Sequence, residues 1–167
     1  MTVRRSGPYI WMTYLSPLMS GDASCKYQRW FKTHNKLPDT FDPSTKSFMD
    51  HTALLDRETD ALKAKGYNVR RERQNYFNLR SPSYTIGGQP DLVTVNSDGT
   101  TGTIHEAKSG SPRNAHQVQT MLYMWALPGA FALYKNVKFD GRVVYQANEI
   151  TIPSEAIDSD SFRGWPA

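Results

Sequence analysis

With 167 residues, 38% of them hydrophobic, and 20 basic against 16 acidic side chains, the chain suits one domain with a lean core and a polar surface of net charge +4, because single domains cluster near ~100–150 residues. No apolar run reaches the ~18 residues of a membrane span, and Arg4 and Arg5 ahead of the short run Tyr9-Ile10-Trp11-Met12 do not make a signal peptide, so the chain reads as soluble and cytoplasmic with no membrane partner. Cys25 is the only cysteine, which excludes an internal disulfide and any four-cysteine zinc or iron–sulfur site, and leaves metal chemistry to carboxylates and histidines.

The first 20 residues carry no clear period. Gly21-Asp22 then predicts a helix over 23–34 with Asp22 as its N-cap, on which Lys26, Arg29 and Lys32 form a basic stripe that reads as a solvated face. Pro38 closes that segment. Asp42-Pro43 predicts a second helix, with Asp as N-cap and Pro at the first helical position, running to Lys65 and stopped by Gly66. Phe48, His51, Thr52, Leu55, Thr59 and Leu62 recur on it at steps of three and four, so a histidine sits in the inward stripe.

From 67 to 95 the texture is that of β-strands, with Glu72 inside a strand over 69–73 and another strand beginning at Asp91. The turn-rich stretch 96–102 predicts that 103–108 pairs antiparallel with the Asp91 strand. Ser111-Pro112 opens a further helix, whose stripe is Val118, Met121, Leu122, Trp125 and Ala126 and whose stop is Pro128-Gly129. Asp140-Gly141 divides strands 137–139 and 142–145, 149–152 makes another short strand, and the tail has no period. The element order predicts a single α/β domain over 1–167 with a mixed central β-sheet flanked by helices.

Chemistry concentrates in the predicted hairpin. Glu106 and Lys108, two apart on one strand, share a sheet face near Asp91, while His105 and Ala107 take the other face. Two close carboxylates suit a hard divalent cation, and a lysine beside them can orient water or offset charge developing on a phosphate. The same three charges alone would equally make a half-exposed salt bridge on a sheet edge.

Pro90-Asp91, a gap of 14 residues and Glu106-Ala107-Lys108, with Gly87-Gly88-Gln89 leading in, resemble the PD-(D/E)XK nuclease superfamily. Gln119-Thr120-Met121-Leu122-Tyr123 resembles the Q-x-x-x-Y motif of its RecB-like branch, which includes nuclease domains of bacterial recombination enzymes and the CRISPR-associated adaptation exonucleases. His51 occupies the place of that branch's upstream histidine, and Glu72 stands where the branch often has a glutamate, though between arginines it reads as a solvated charge. The run from Ser24 to Phe31 is similar to the family's N-terminal cysteine, basic and aromatic segment, and the run from Gly141 to Tyr145 to its closing strand.

The resemblance places the core over about 13–152 and the tail over 153–167, and implies a restriction-endonuclease-like core in which Asp91, Glu106, the backbone carbonyl of Ala107 and His51 hold Mg2+ or Mn2+. Lys108 would position the attacking water, and Gln119 and Tyr123 would support the site and DNA. The implied reaction is phosphodiester hydrolysis by a RecB-like exonuclease. Many members of the branch wrap an iron–sulfur cluster with one N-terminal and three C-terminal cysteines; Cys25 matches the first and 150–167 contain none, so no cluster is expected.

The alternative is a nucleic-acid-binding module or subunit that has lost turnover, but such a module does not need two acids placed for a metal. The sequence names no protein partner. Ser109 and Arg113 could meet a phosphate at the start of the last long helix, with Ser111 as its cap and His116 one turn before Gln119. His34, in a loop, His105, on the far sheet face, and the aromatic group Tyr9, Trp11 and Tyr14 receive no chemical role.

Overall fold

The computed structural model describes residues 2–22, 25–38, 42 and 44–164, so the predicted helix start at Ala23 and the predicted role of Pro43 lie outside the described residues. In chain order the elements are β1 (Val3–Arg4), β2 (Tyr9–Trp11), α1 (Met12–Met19), α2 (Lys26–His34), β3 (Asn35–Lys36), α3 (Lys46–Ala64), β4 (Val69–Arg71), a 3-10 turn (Glu72–Asn75), β5 (Phe77–Arg80), β6 (Thr85–Gly88), β7 (Leu92–Val95), β8 (Thr101–Ala107), α4 (Asn114–Ala130), a 3-10 turn (Ala132–Tyr134), β9 (Lys138–Val144), β10 (Glu149–Ile152), a 3-10 turn (Ser154–Asp158) and α5 (Asp160–Arg163).

Five strands form the central sheet in the order β10-β9-β8-β7-β4, antiparallel except for the parallel pair β8 and β9 that α4 connects, so the fold is α/β with a mixed sheet. A second sheet, β2-β6-β5, delivers the chain from Gly88 to Asp91. Alternation along the strands divides the core. Val93, Ile104 and Val143 pack with α1 and α4, whereas Leu92, Ala107 and Val144 pack with Leu54, Leu55 and Leu62 of α3. None of the helices among the described residues is long and apolar enough to cross a membrane.

The predicted hairpin has the expected register, with Leu92 opposite His105 and Val95 opposite Gly102. Gly66 ends α3 as predicted. At φ +87 it lets its own N–H reach the Lys63 carbonyl and the Tyr67 N–H reach the Leu62 carbonyl, which satisfies two of the carbonyls that a helix end leaves free.

Several boundaries depart from the sequence reading. The unassigned first 20 residues contain α1, an eight-residue helix that tolerates Pro17 and packs on α4. Asp22 does not cap α2: Cys25 does, accepting from the Gln28 N–H at 3.4 Å, while the Asp22 carboxylate accepts from the Ala115 N–H at 2.9 Å and so caps α4. Ser111 is therefore not the cap of α4. Asp42 binds the Ser44 N–H, and Thr45 caps α3.

The helix α4 runs through Pro128-Gly129 to Ala130, with the Phe131 N–H closing onto the Leu127 carbonyl at 3.1 Å. It is covered on most sides by the sheet and α1, so Gln119, Thr120, Tyr123 and Met124 are buried while Trp125, in the predicted stripe, is exposed. The tail, read as patternless, lays Ala156, Ile157 and Phe162 on the main core.

The largest correction is at Asp140-Gly141, which is not a turn: β9 passes straight through it. The glycine is there for close approach. A Cβ on Gly141 would lie 2.7 Å from Thr120 Cγ2 and 2.9 Å from Met124 Sδ, so α4 can sit on β9 only where that strand lacks a side chain. Gly141→Ala should destabilise the protein by about 1–3 kcal/mol in chemical denaturation, because the crowded core must shift to admit the methyl group.

Candidate active site

The predicted residues meet at the C-terminal end of β8, where α3 approaches from one face of the sheet and α4 from the other. Asp91 lies just before β7, held by three hydrogen bonds, two of them to backbone N–H groups. Its N–H donates to Glu106 Oε1 at 3.1 Å, its carbonyl accepts from the Glu72 N–H at 2.8 Å, and its Oδ2 accepts from the Ala107 N–H at 2.8 Å. Asp91 Oδ1 faces His51 Nε2 at 3.7 Å, with the Ala107 backbone close to the same ring.

Glu106 is 1% exposed and points toward α4, as the strand period requires. Its Oε2 accepts from Lys108 Nζ at 3.0 Å and from Gln119 Nε2 at 3.1 Å. Gln119 Nε2 also donates to the Tyr123 hydroxyl at 3.2 Å, and the Tyr123 ring packs edge-on to Phe77. Gly88 makes room for this pair, since a Cβ there would lie 2.7 Å from both rings. The six side chains predicted for the site and the Ala107 backbone are thus brought together. Gln119 and Tyr123, however, lie beneath Glu106 in the core rather than beside an open surface.

The electrostatics follow from burial. Desolvation, opposed by Lys108 and the Ala107 N–H, pushes Asp91 up to about 6; desolvation and the Asp91 charge push Glu106 up to about 7. Burial alone would pull Lys108 down, but Glu106 and then Asp91 lift it above the ordinary lysine value, so it remains an ammonium. Burial and then Lys108 lower His51, which keeps its imidazole neutral at neutral pH. Two acids share one partly buried cation, an arrangement that is short of positive charge whenever both ionise.

A cleft of about 590 Å³ opens onto Ala107 and Lys108 and is lined by Thr45, which caps α3, by Phe48 and His51 of α3, by Ser109 and Arg113 ahead of α4, and by His116 in its first turn. His116 Nδ1 pairs with the Tyr145 hydroxyl at 3.0 Å, and burial followed by Lys108 and Arg113 lowers its ring to about 4, so it lines the cleft as a neutral group. Ser109 and Arg113, noted in the sequence as phosphate contacts, both border this cleft.

Two residues were underrated in the sequence. Glu72 is not in a strand: it begins a 3-10 turn at φ +42, with its carboxylate 3.2 Å from Arg71 Nε and its charge raising the pKa of Asp91. Asn75, buried, donates to the Pro90 carbonyl at 3.2 Å and the Arg70 carbonyl at 3.0 Å, so it fixes the peptide that precedes Asp91. The stretch around Asn75 has the texture of a strand in the sequence and carries no signal of this role. On the far face of the sheet, His105 bonds Thr94 Oγ1 at 3.0 Å beside Arg142, which pairs with Glu58 and Glu149. His34 ends α2 rather than lying in a loop, with Nδ1 on the Trp30 carbonyl at 2.9 Å.

The donor set consists of carboxylate and carbonyl oxygens with one imidazole, which fits a hard or borderline divalent ion. Among the described residues no group of three or more His, Cys, Asp and Glu is gathered as a finished metal shell. The hydrogen bonds give the reason: Lys108, Gln119 and the Asp91 N–H engage both oxygens of Glu106, leaving Asp91 Oδ1 and the Ala107 carbonyl beside His51.

No family model matches this chain, and no curated protein matches it. Among solved structures it is similar to the crystal structure of SSO0001, with a TM-score of 0.48 and 17% identity over 98% of this chain and 79% of that one.

Proposed function

We propose that the chain is a divalent-metal-dependent deoxyribonuclease that hydrolyses phosphodiester bonds and works as an exonuclease of the RecB-like kind. The observation that carries this reading is the buried Glu106 carboxylate paired with a charged lysine at 3.0 Å, and the partly buried Asp91 carboxylate held on the intervening Ala107 N–H at 2.8 Å, beside a cleft that Lys108 and Arg113 line. Asp91, Glu106, the Ala107 carbonyl and His51 would hold Mg2+ or Mn2+, which when bound supplies Lewis-acid stabilisation of the phosphate and a more acidic water.

The chain's own groups do the rest. Lys108, kept charged by the acids, donates a hydrogen bond to the attacking water and offsets charge growing on the phosphate oxygens. Gln119 fixes one oxygen of Glu106, and Tyr123 holds Gln119 from below, so the carboxylate keeps its orientation as its partners change. Arg113 and Ser109 border the space that the strand's phosphates would enter.

The test is cleavage of end-labelled linear and closed circular DNA, single- and double-stranded, with manganese, magnesium or EDTA. The proposal expects metal-dependent shortening of linear DNA and intact circles; nicked circles would reassign the enzyme as an endonuclease. His51 adds a sharper expectation. A neutral imidazole favours manganese over magnesium, so His51→Ala should lose at least about tenfold of the manganese-stimulated rate with little change in Tm. A variant that loses stability but keeps the parent's metal response would make His51 a packing residue.

A further inference from the structure

The nuclease centre leaves one exposed feature of the fold unused. On α2, Tyr27, Trp30 and His34 recur at steps of three and four and therefore share a face. Tyr27 is 67% and Trp30 54% exposed, high values for side chains that normally bury most of their surface. They form a continuous ladder. The Tyr27 and Trp30 rings stack at 5.6 Å and 28°, and the Trp30 and His34 rings lie 4.6 Å apart at 34°.

The flank of the ladder is basic. Lys26 and Arg29 each precede an aromatic rung by one residue, which sets them about 100° around the helix. Lys32, further round, covers the Tyr14 ring at 5.9 Å, and the helix contains no acidic residue. An apolar protein partner would gain little from such a flank, whereas a polyanion with flat faces matches both features.

The helix is also tied to the catalytic region. It packs on β2, which pairs with the β6 strand leading to Asp91. Its N-cap Cys25 follows by three residues the Asp22 that caps α4 and shares a surface depression with Arg113, so the first turn of α2 starts no more than about 11 Å from Asp22.

We infer that α2 is a binding platform for single-stranded nucleic acid, on which successive bases stack on Tyr27 and Trp30 while Lys26 and Arg29 meet the phosphates. This deepens the nuclease reading by assigning the form of its substrate at the approach to the cleft, but the binding itself does not depend on turnover. Duplex DNA, whose bases are already stacked, would use only the charges.

The test measures fluorescence anisotropy of labelled oligo(dT), an abasic oligonucleotide of equal length, and a blunt duplex, all in EDTA so that cleavage plays no part. Wild type should bind oligo(dT) about tenfold more tightly than the abasic strand, and Trp30→Ala or Tyr27→Ala should remove most of that preference. Trp30→Phe should restore it, and circular dichroism should show the same helix content in all variants. Lys26→Ala with Arg29→Ala should instead weaken both strands alike and flatten the salt dependence. Equal affinity for oligo(dT) and the abasic strand, tighter binding to duplex, or stronger binding to anionic phospholipid vesicles than to oligo(dT) would overturn the inference. A chain that binds in this way without ever cleaving would overturn the nuclease reading alone.

Discussion

Lys108→Ala should lose about a thousandfold in metal-dependent DNA cleavage while the protein remains folded and still binds DNA. The lysine is the only cation within hydrogen-bond reach of the Glu106 carboxylate among the described residues, at 3.0 Å, and is itself held charged by Glu106 and Asp91. On the proposed reading, its removal takes away the donor for the water and for the phosphate charge. The fold survives because the two acids, already raised, answer the loss by taking up a proton instead of remaining as bare buried charges. Asp91→Ala should abolish cleavage equally, by removing the carboxylate that faces His51. Binding should outlast catalysis in both variants and weaken with salt, because the net charge of +4 and the basic residues act apart from the acids. Unchanged cleavage by both folded variants would locate the chemistry elsewhere.

The second large effect is on stability. Asp91 at about 6 and Glu106 at about 7 both stand above the ordinary carboxylate range near 4, so between those values the folded chain retains protons that the unfolded chain has lost. Their contribution to stability is therefore greatest at low pH and is lost as pH rises through about 6 and 7. His105 and His116, which burial holds neutral down to about 4, act in the opposite sense and lose stability as pH falls below about 6.5.

The contribution of the acids is isolated by comparison with Asp91→Asn, which removes one charge and leaves an oxygen to accept the Ala107 N–H. In EDTA, the Tm of wild type should fall relative to Asp91→Asn by about 5 °C or more between about pH 5 and pH 8. Manganese should restore more of the wild-type Tm at the higher pH, where protons no longer compete for the acids. Parallel profiles for the two proteins, with and without metal, would show that the carboxylates do not share this strained site.

The site was legible in the sequence to a larger extent than the fold around it. A two-residue period assigns Glu106 and Lys108 to one face without further knowledge, and a four-residue spacing aligns Gln119 with Tyr123 on α4. What these patterns do not contain is depth: nothing in them says that α1 covers α4, which is why Tyr123 is buried and Trp125 is not. Asp140-Gly141 has the composition of a turn, and only the close approach of Thr120 and Met124 reveals Gly141 as a strand residue. Glu72 and Asn75 act through backbone bonds to Asp91 and Pro90, from a turn whose geometry depends on contacts distant in the chain. The exchange of caps, with Asp22 serving α4 and Cys25 serving α2, is likewise a tertiary event that local propensity does not encode.

The most direct test of the account is the appearance of new ends on a labelled DNA strand incubated with the purified chain, followed with manganese or magnesium and again after EDTA is added. The account predicts shortened products in either metal and an immediate halt on chelation, with a larger rate in manganese. Product formation that continues in EDTA, or a folded wild-type protein that binds DNA and never shortens it in either metal, would contradict the assignment of Asp91, Glu106 and Lys108 as a hydrolytic centre.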